Sequence, residues 1–123
     1  MEQVPPVVER FLTALHARDF DGIAACFHPD ALLVAVVPPG IREDVGPGQI
    51  AARYRRWLDD GAGTITESEA TPFADLTRIR YVVESDGATP TAFEQTAYAE
   101  IDGDRVVRMR IACSGHRPVS PQT

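Results

Sequence analysis

With 123 residues, 44% of them hydrophobic, the chain is long enough for one compact domain with a single core and too short for several. A net charge of −6 argues against a phosphate-rich nucleic acid as partner, and the longest purely apolar run, Ala31 to Val37, falls far short of a bilayer span. Cys26 and Cys113 make no disulfide framework, and the start MEQVPPVVER has neither a basic nor an apolar leader region, so the expectation is a cytoplasmic protein without a membrane partner.

Along the chain, Val7, Val8, Phe11, Leu12 and Leu15 fall on one stripe of a predicted first helix, with Glu9, Arg10, Thr13 and His16 on its other side. Pro5 and Pro6 suit its first turn. Asp19 is a candidate N-cap for a second, shorter helix with a stripe of Phe20, Ile23, Ala24 and Phe27. His28-Pro29-Asp30 is expected to stop that helix, with His28 and Asp30 in capping or turn roles, before a buried strand from Ala31 to Val37. Pro38-Pro39-Gly40 reads as a turn and Ile41 to Val45 as a loop, leading through Gly46-Pro47-Gly48 to a third helix. On that helix Ile50, Tyr54, Trp57 and Leu58 share the inner face, while Arg53, Arg55, Arg56, Asp59 and Asp60 take the outer face; Gly61 and Gly63 end it.

From Thr64 onward, four stretches have strand character: Thr64 to Phe73, Leu76 to Glu84, Thr91 to Ile101 and Arg105 to Ser114. Their short connections, at Ala74-Asp75, around Ser85-Asp86-Gly87 and at Asp102-Gly103-Asp104, require antiparallel neighbours and hence a meander. Alternation separates the faces. Ile79, Tyr81 and Val83, then Phe93, Gln95, Ala97, Ala99 and Ile101, then Val107, Met109, Ile111 and Cys113 point inward, and the intervening arginines and glutamates form outer cross-strand pairs. The tail from His116 to Thr123 reads as frayed.

Gln95 is the sharpest residue on the inner face. A buried amide without partners costs about 1 to 3 kcal/mol, so it either joins Tyr54, Tyr81 or backbone in a structural network or holds a ligand. Glu43 and Asp44, in the expected loop after the first strand, are candidate general bases if desolvated. Cys113 reads as a small hydrophobe. Cys26-x-His28 and Cys113-x-x-His116 have no zinc spacing, and no phosphate loop, dinucleotide fingerprint or nucleophile elbow occurs, so no metal and no cofactor are expected.

The helix-helix-strand order and the wording ALHARDFDGIAACFHPDALL resemble the opening of the nuclear-transport-factor-2-like superfamily, in its SnoaL-like and ketosteroid-isomerase-like branch. That resemblance implies an α+β class and a conical fold: a strongly curved mixed, mostly antiparallel sheet packed on three helices of the N-terminal half. It also implies a pocket for a small hydrophobic molecule, lined by Phe11, Leu15, Tyr54, Trp57 and Tyr81 and by Phe93, Gln95, Met109, Ile111 and Cys113. A homodimer through the outer sheet face, which displays Val82 and Tyr98, follows from the same likeness.

The isomerase relatives use a strand carboxylate as base and an oxyanion hole of a tyrosine and a protonated acid. Carried onto this sequence, those positions hold Ala35, Phe11 and Ala97. Tyr54 matches a supporting tyrosine, and the arginine and aspartate of the epoxide-hydrolase relatives fall at Gln95 and Ala97. Two functions are therefore weighed. One is isomerisation, cyclisation or hydration of a hydrophobic ligand oriented by Tyr54 and Gln95; the other is a ligand-binding or assembly module without turnover.

Overall fold

The computed structural model describes residues 3–37, 40–59, 63–85 and 89–119. Helix α1 (Pro6–Ala17) starts on a proline, whose fixed φ suits a first turn and whose missing N–H leaves no bond unmade. It buries Val7, Val8, Phe11, Ala14 and Leu15. It ends at Arg18, which is left-handed at φ 56 although it is not glycine. The Arg18 guanidinium offsets that strain at the far end of another helix, where it donates to the carbonyls of Leu58 and Gly63 and pairs with Asp59. Helix α2 (Phe20–Ala25) is capped by Asp19, whose carboxylate accepts the Gly22 N–H at 3.0 Å.

Phe27, expected on the α2 stripe, is instead the first residue of strand β1 (Phe27–Val37). The pairing of β1 shifts register between Phe27 and Leu32, an irregularity that accommodates Pro29, which has no N–H to give to a ladder. His28 Nδ1 accepts the Asp30 N–H there at 3.0 Å, a turn role for both residues. The expected loop after β1 is also a strand. β2 (Gly40–Val45) runs antiparallel to β1, with Leu33 opposite Asp44 and Ala35 opposite Arg42. A six-residue edge strand with three charged side chains reads as a loop because edges are kept short and charged against stray pairing.

Helix α3 (Gly46–Asp59) follows at once. Gly46 has φ +87, and a Cβ there would lie 3.3 Å from the Pro29 carbonyl, so glycine suits the corner on two counts. Gln49 Oε1 accepts the Val45 N–H at 2.8 Å and satisfies one of the free donors of the first turn. The expectations for Pro38, Pro39, Asp60, Gly61, Asp86 and Gly87 lie outside the described residues.

Strands β3 (Thr64–Phe73), β4 (Leu76–Ser85), β5 (Thr91–Asp102) and β6 (Arg105–Cys113) form the expected antiparallel meander. The sheet order is β2-β1-β6-β5-β4-β3, with β1 and β6 parallel and the other neighbours antiparallel. A short β7 (Arg117–Pro118) pairs with Thr91 and Ala92 of β5. Part of the tail expected to fray is therefore tied to the sheet. The fold is α+β, three helices against a curved, mostly antiparallel mixed sheet, and no described helix is long and apolar enough to cross a membrane.

Inward alternation holds along β4 and β5, where Ile79, Tyr81, Val83, Phe93, Gln95, Ala97 and Ala99 are buried. In β6 it breaks once. A bulge where Glu100 faces Arg108 but Ile101 faces Val106 turns Val106 inward in place of Val107, which is only half-buried. Arg80 carries the outer charge pairing, reaching Glu69 directly opposite on β3, Glu67 beside it and Glu94 on β5.

Candidate ligand cavity

Register brings Tyr81, Gln95 and Cys113 side by side across β4, β5 and β6. Tyr54 comes down on this row from α3. The Tyr81 hydroxyl donates to Gln95 Oε1 at 2.6 Å, and the Tyr54 and Tyr81 oxygens lie 2.7 Å apart. Each phenol has one proton, so with that of Tyr81 on Gln95, Tyr54 donates to the Tyr81 oxygen. Met109 Sδ, at 3.6 Å, is a second and weaker acceptor for Tyr54. Burial pushes both phenols above their ordinary value, and at Tyr81 the facing Tyr54 oxygen acts in the same direction. Both are neutral donors at neutral pH and not bases. Gln95 is 0% exposed, and its Nε2 has no hydrogen-bond partner among the described residues.

Gln95 is one of the residues around a cavity of about 580 Å³ between α3 and the end of the sheet where β6 finishes and β5 begins. Its walls are Val37, Arg42, Arg53, Arg56 and Trp57 on one side and Ser85, Thr91, Phe93, Gln95, Cys113, Gly115 and His116 on the other. The volume suits a small organic molecule. Of the residues expected to line a pocket, Trp57, Phe93, Gln95 and Cys113 do so. Phe11, Leu15, Tyr54, Tyr81, Met109 and Ile111 sit outside this lining in the packed core, and Phe11, Tyr54 and Trp57 meet edge to face at ring distances of 5.6 and 5.1 Å. Ala35 and Ala97 are fully buried there as well. The deep part of the sheet's concave side is thus filled by side chains, and this cavity lies toward one end of it.

The expected loop acids separate. Glu43 is exposed on the outer face of β2, whereas Asp44 is buried on its inner face and accepts from Arg53 Nε at 2.9 Å and Nη2 at 3.5 Å. Arg53 and Arg56, expected on the outer face of α3, both line the cavity. Arg53 flanks the buried stripe one turn before Trp57, near enough for its head to turn inward toward Asp44. Arg42 was not singled out by sequence, and the signal that would have found it is the alternation of Gly40, Arg42 and Asp44 once Ile41–Val45 is treated as strand. His116 packs its ring on Phe93 at 5.1 Å and covers one end of the cavity. Among the described residues, no three His, Cys, Asp or Glu side chains group closely enough to hold a metal ion.

The SnoaL-like domain family matches residues 8–109, most of the chain. The chain belongs to the SnoaL-like domain family. No curated protein sequence matches it. Among solved structures, this SnoaL-like chain is similar to a protein of ketosteroid isomerase-like fold from Catenulispora acidiphila in complex with trimethylamine. The two share 18% identity, with 89% of this chain and 85% of that one covered and a TM-score of 0.71. A proposed polyketide cyclase from Sinorhizobium meliloti aligns at 21% identity over 88% and 94% of the two chains, with a TM-score of 0.66. An LEH-like epoxide hydrolase from M. tuberculosis aligns at 20% identity over 89% and 80%, with a TM-score of 0.67. At these identities the likeness establishes the fold, and the chemistry must come from the residues of this SnoaL-like chain.

Proposed function

We propose that this SnoaL-like protein binds a small, largely apolar molecule in the cavity beneath α3, with an acceptor oxygen of the ligand on Gln95 Nε2. The observation that carries the reading is a fully buried amide, its Nε2 without a partner among the described residues, on a residue that borders a cavity of about 580 Å³. Such a donor costs about 1 to 3 kcal/mol when left empty and is relieved when a ligand carbonyl or hydroxyl accepts from it. The phenol chain from Tyr54 through Tyr81 fixes the amide so that Oε1 is already occupied and Nε2 is the free end. Trp57, Phe93 and Val37 supply apolar contact. The unpaired Cys26 and Cys113 fit the reducing cytoplasm as its location.

Carboxylate-driven enolisation does not fit this site. Ala35 and Ala97 stand where the resemblance would require acids, and Asp44 spends both oxygens on Arg53. A catalytic reading rests on His116, an imidazole at the cavity end and the side chain most used in general acid–base steps. In that reading Gln95 polarises a ligand carbonyl while His116 moves the proton of an isomerisation, cyclisation or hydration.

A thermal-shift screen against steroids, polyketides and fatty acids tests the binding reading, because a ligand of the native state alone must raise the melting temperature. A hit is expected whose shift disappears in Gln95→Leu while the unliganded variant melts as a folded protein. A panel with no shift, or a shift that Gln95→Leu leaves unchanged, overturns it. His116→Gln abolishing turnover of that hit without altering its shift would support the catalytic reading.

A further inference from the structure

Three arginines line the cavity, and among the described residues no carboxylate does. Asp44 accounts for one of the three by holding Arg53. Arg42 reaches the cavity from β2, opposite Ala35, and Arg56 reaches it from α3. Neither has an ion-pair partner among the described residues. In a chain of net charge −6, a cavity walled by unneutralised cations runs against the charge of the molecule as a whole. Arginines that share a cavity with Trp57 and Phe93, at the edge of a low-dielectric space, favour an opposite charge or water beside them.

We infer that the ligand is an organic anion, a compact carboxylic acid with an apolar body. Its carboxylate accepts from the planar forks of Arg42 and Arg56, each able to donate two parallel hydrogen bonds. The hydrocarbon lies on Trp57 and Phe93, and a second oxygen accepts from Gln95 Nε2. The inference rests on the cavity reading above and adds to it the sign of the ligand. It also separates this chain from its Catenulispora acidiphila likeness, which holds trimethylamine; a cationic amine would face repulsion from the wall described here.

Trp57 is the only tryptophan of the sequence and lines the cavity, so its emission reports occupancy. Three probes share one apolar cage and absorb nothing near the indole band: adamantane-1-carboxylate, its methyl ester and 1-adamantylamine. Titrated into the wild-type protein, the acid is expected to bind about tenfold more tightly than the ester, and the amine to leave the emission unchanged. The preference should shrink as sodium chloride is raised from about 0.05 to about 0.5 M, since a charge near the cavity opening is partly screened. Arg42→Gln should bring the acid down to the affinity of the ester and leave the ester where it was. Arg56→Gln provides the same comparison from the helix side, and circular dichroism confirms that each variant is folded. An ester that binds as tightly as the acid overturns the anionic assignment and leaves the cavity reading standing. No emission change with any of the three probes overturns both.

Discussion

The row of Tyr54, Tyr81 and Gln95 makes a prediction that depends on the direction of its hydrogen bonds. Tyr81 is the centre, donating to Gln95 and accepting from Tyr54. Tyr81→Phe therefore leaves Gln95 Oε1 without its donor and Tyr54 with only the weak acceptor Met109 Sδ, and a loss of about 2 to 3 kcal/mol is expected in denaturant unfolding at neutral pH. Tyr54→Phe removes one bond and leaves Tyr81 on Gln95, for a loss of about 1 kcal/mol. Gln95→Leu loses one bond but also discards an orphaned donor, so it should change stability by less than about 1 kcal/mol while emptying the site of function. Gln95→Leu proving the most destabilising of the three would show that the amide is chiefly structural. The phenols also set an alkaline limit. Burial raises both above the value of about 10 that they have in the unfolded chain. Below that pH both states hold the protons and the stabilisation is complete. Above it the unfolded chain releases protons that the native state keeps, so stability falls as pH climbs toward the raised native values. Between about pH 9 and pH 11 the denaturation midpoint should drop, and drop less steeply in the Tyr54→Phe, Tyr81→Phe double variant. Parallel slopes in the two proteins would contradict the buried-phenol account.

At the scale of elements, the junction of β2 and α3 carries the main energetic risk. Asp44 and Arg53 have side chains only 11% and 16% exposed, so each is costly to bury without the other. Arg53→Met should destabilise by about 2 to 4 kcal/mol, somewhat below a fully buried pair because some water remains. Asp44→Leu combined with Arg53→Met should recover most of that, and a double variant as unstable as the single would argue that packing, not charge, dominates at this corner. The same junction marks the limit of what the sequence makes legible. Strands β4 to β6 are legible because long alternating runs face a buried core on one side, β3 because a short turn ties it to β4, and α1 to α3 because apolar stripes and the Asp19 cap coincide. β2 is not, since six residues at an edge offer too few alternations to distinguish strand from loop. That single ambiguity hides Arg42 and leaves Asp44 as a loop acid. Val107 is misassigned for a related reason: a bulge changes parity without leaving a mark in composition. Gln95 is legible because an amide breaks an apolar face, and its orphaned Nε2 is not, because that depends on which oxygen Tyr81 reaches.

For the whole molecule, the outer face of the sheet is proposed as the surface of a homodimer. It displays Phe73 and Tyr98, 52% and 36% exposed and 6.0 Å apart edge to face, beside a shallow hollow of Leu76, Tyr98, Glu100, Arg108 and Arg110. At the other end of the same face, Val36 and Ile41 are paired across β1 and β2 and both exposed. Aromatic and aliphatic patches with both signs of charge among them can be matched by a second copy turned through a two-fold axis, which sets the arginines of one copy against the glutamates of the other. The packing leaves the cavity untouched, because the cavity opens on the concave side under α3. Light scattering at tens of micromolar is expected to give twice the chain mass, and Tyr98→Asp should give the single-chain mass with an unchanged circular dichroism spectrum and unchanged Trp57 titrations. A wild-type chain that scatters as a monomer at that concentration removes the dimer. A Tyr98→Asp monomer that no longer binds the probe would instead join the two faces, making assembly a condition for an ordered cavity.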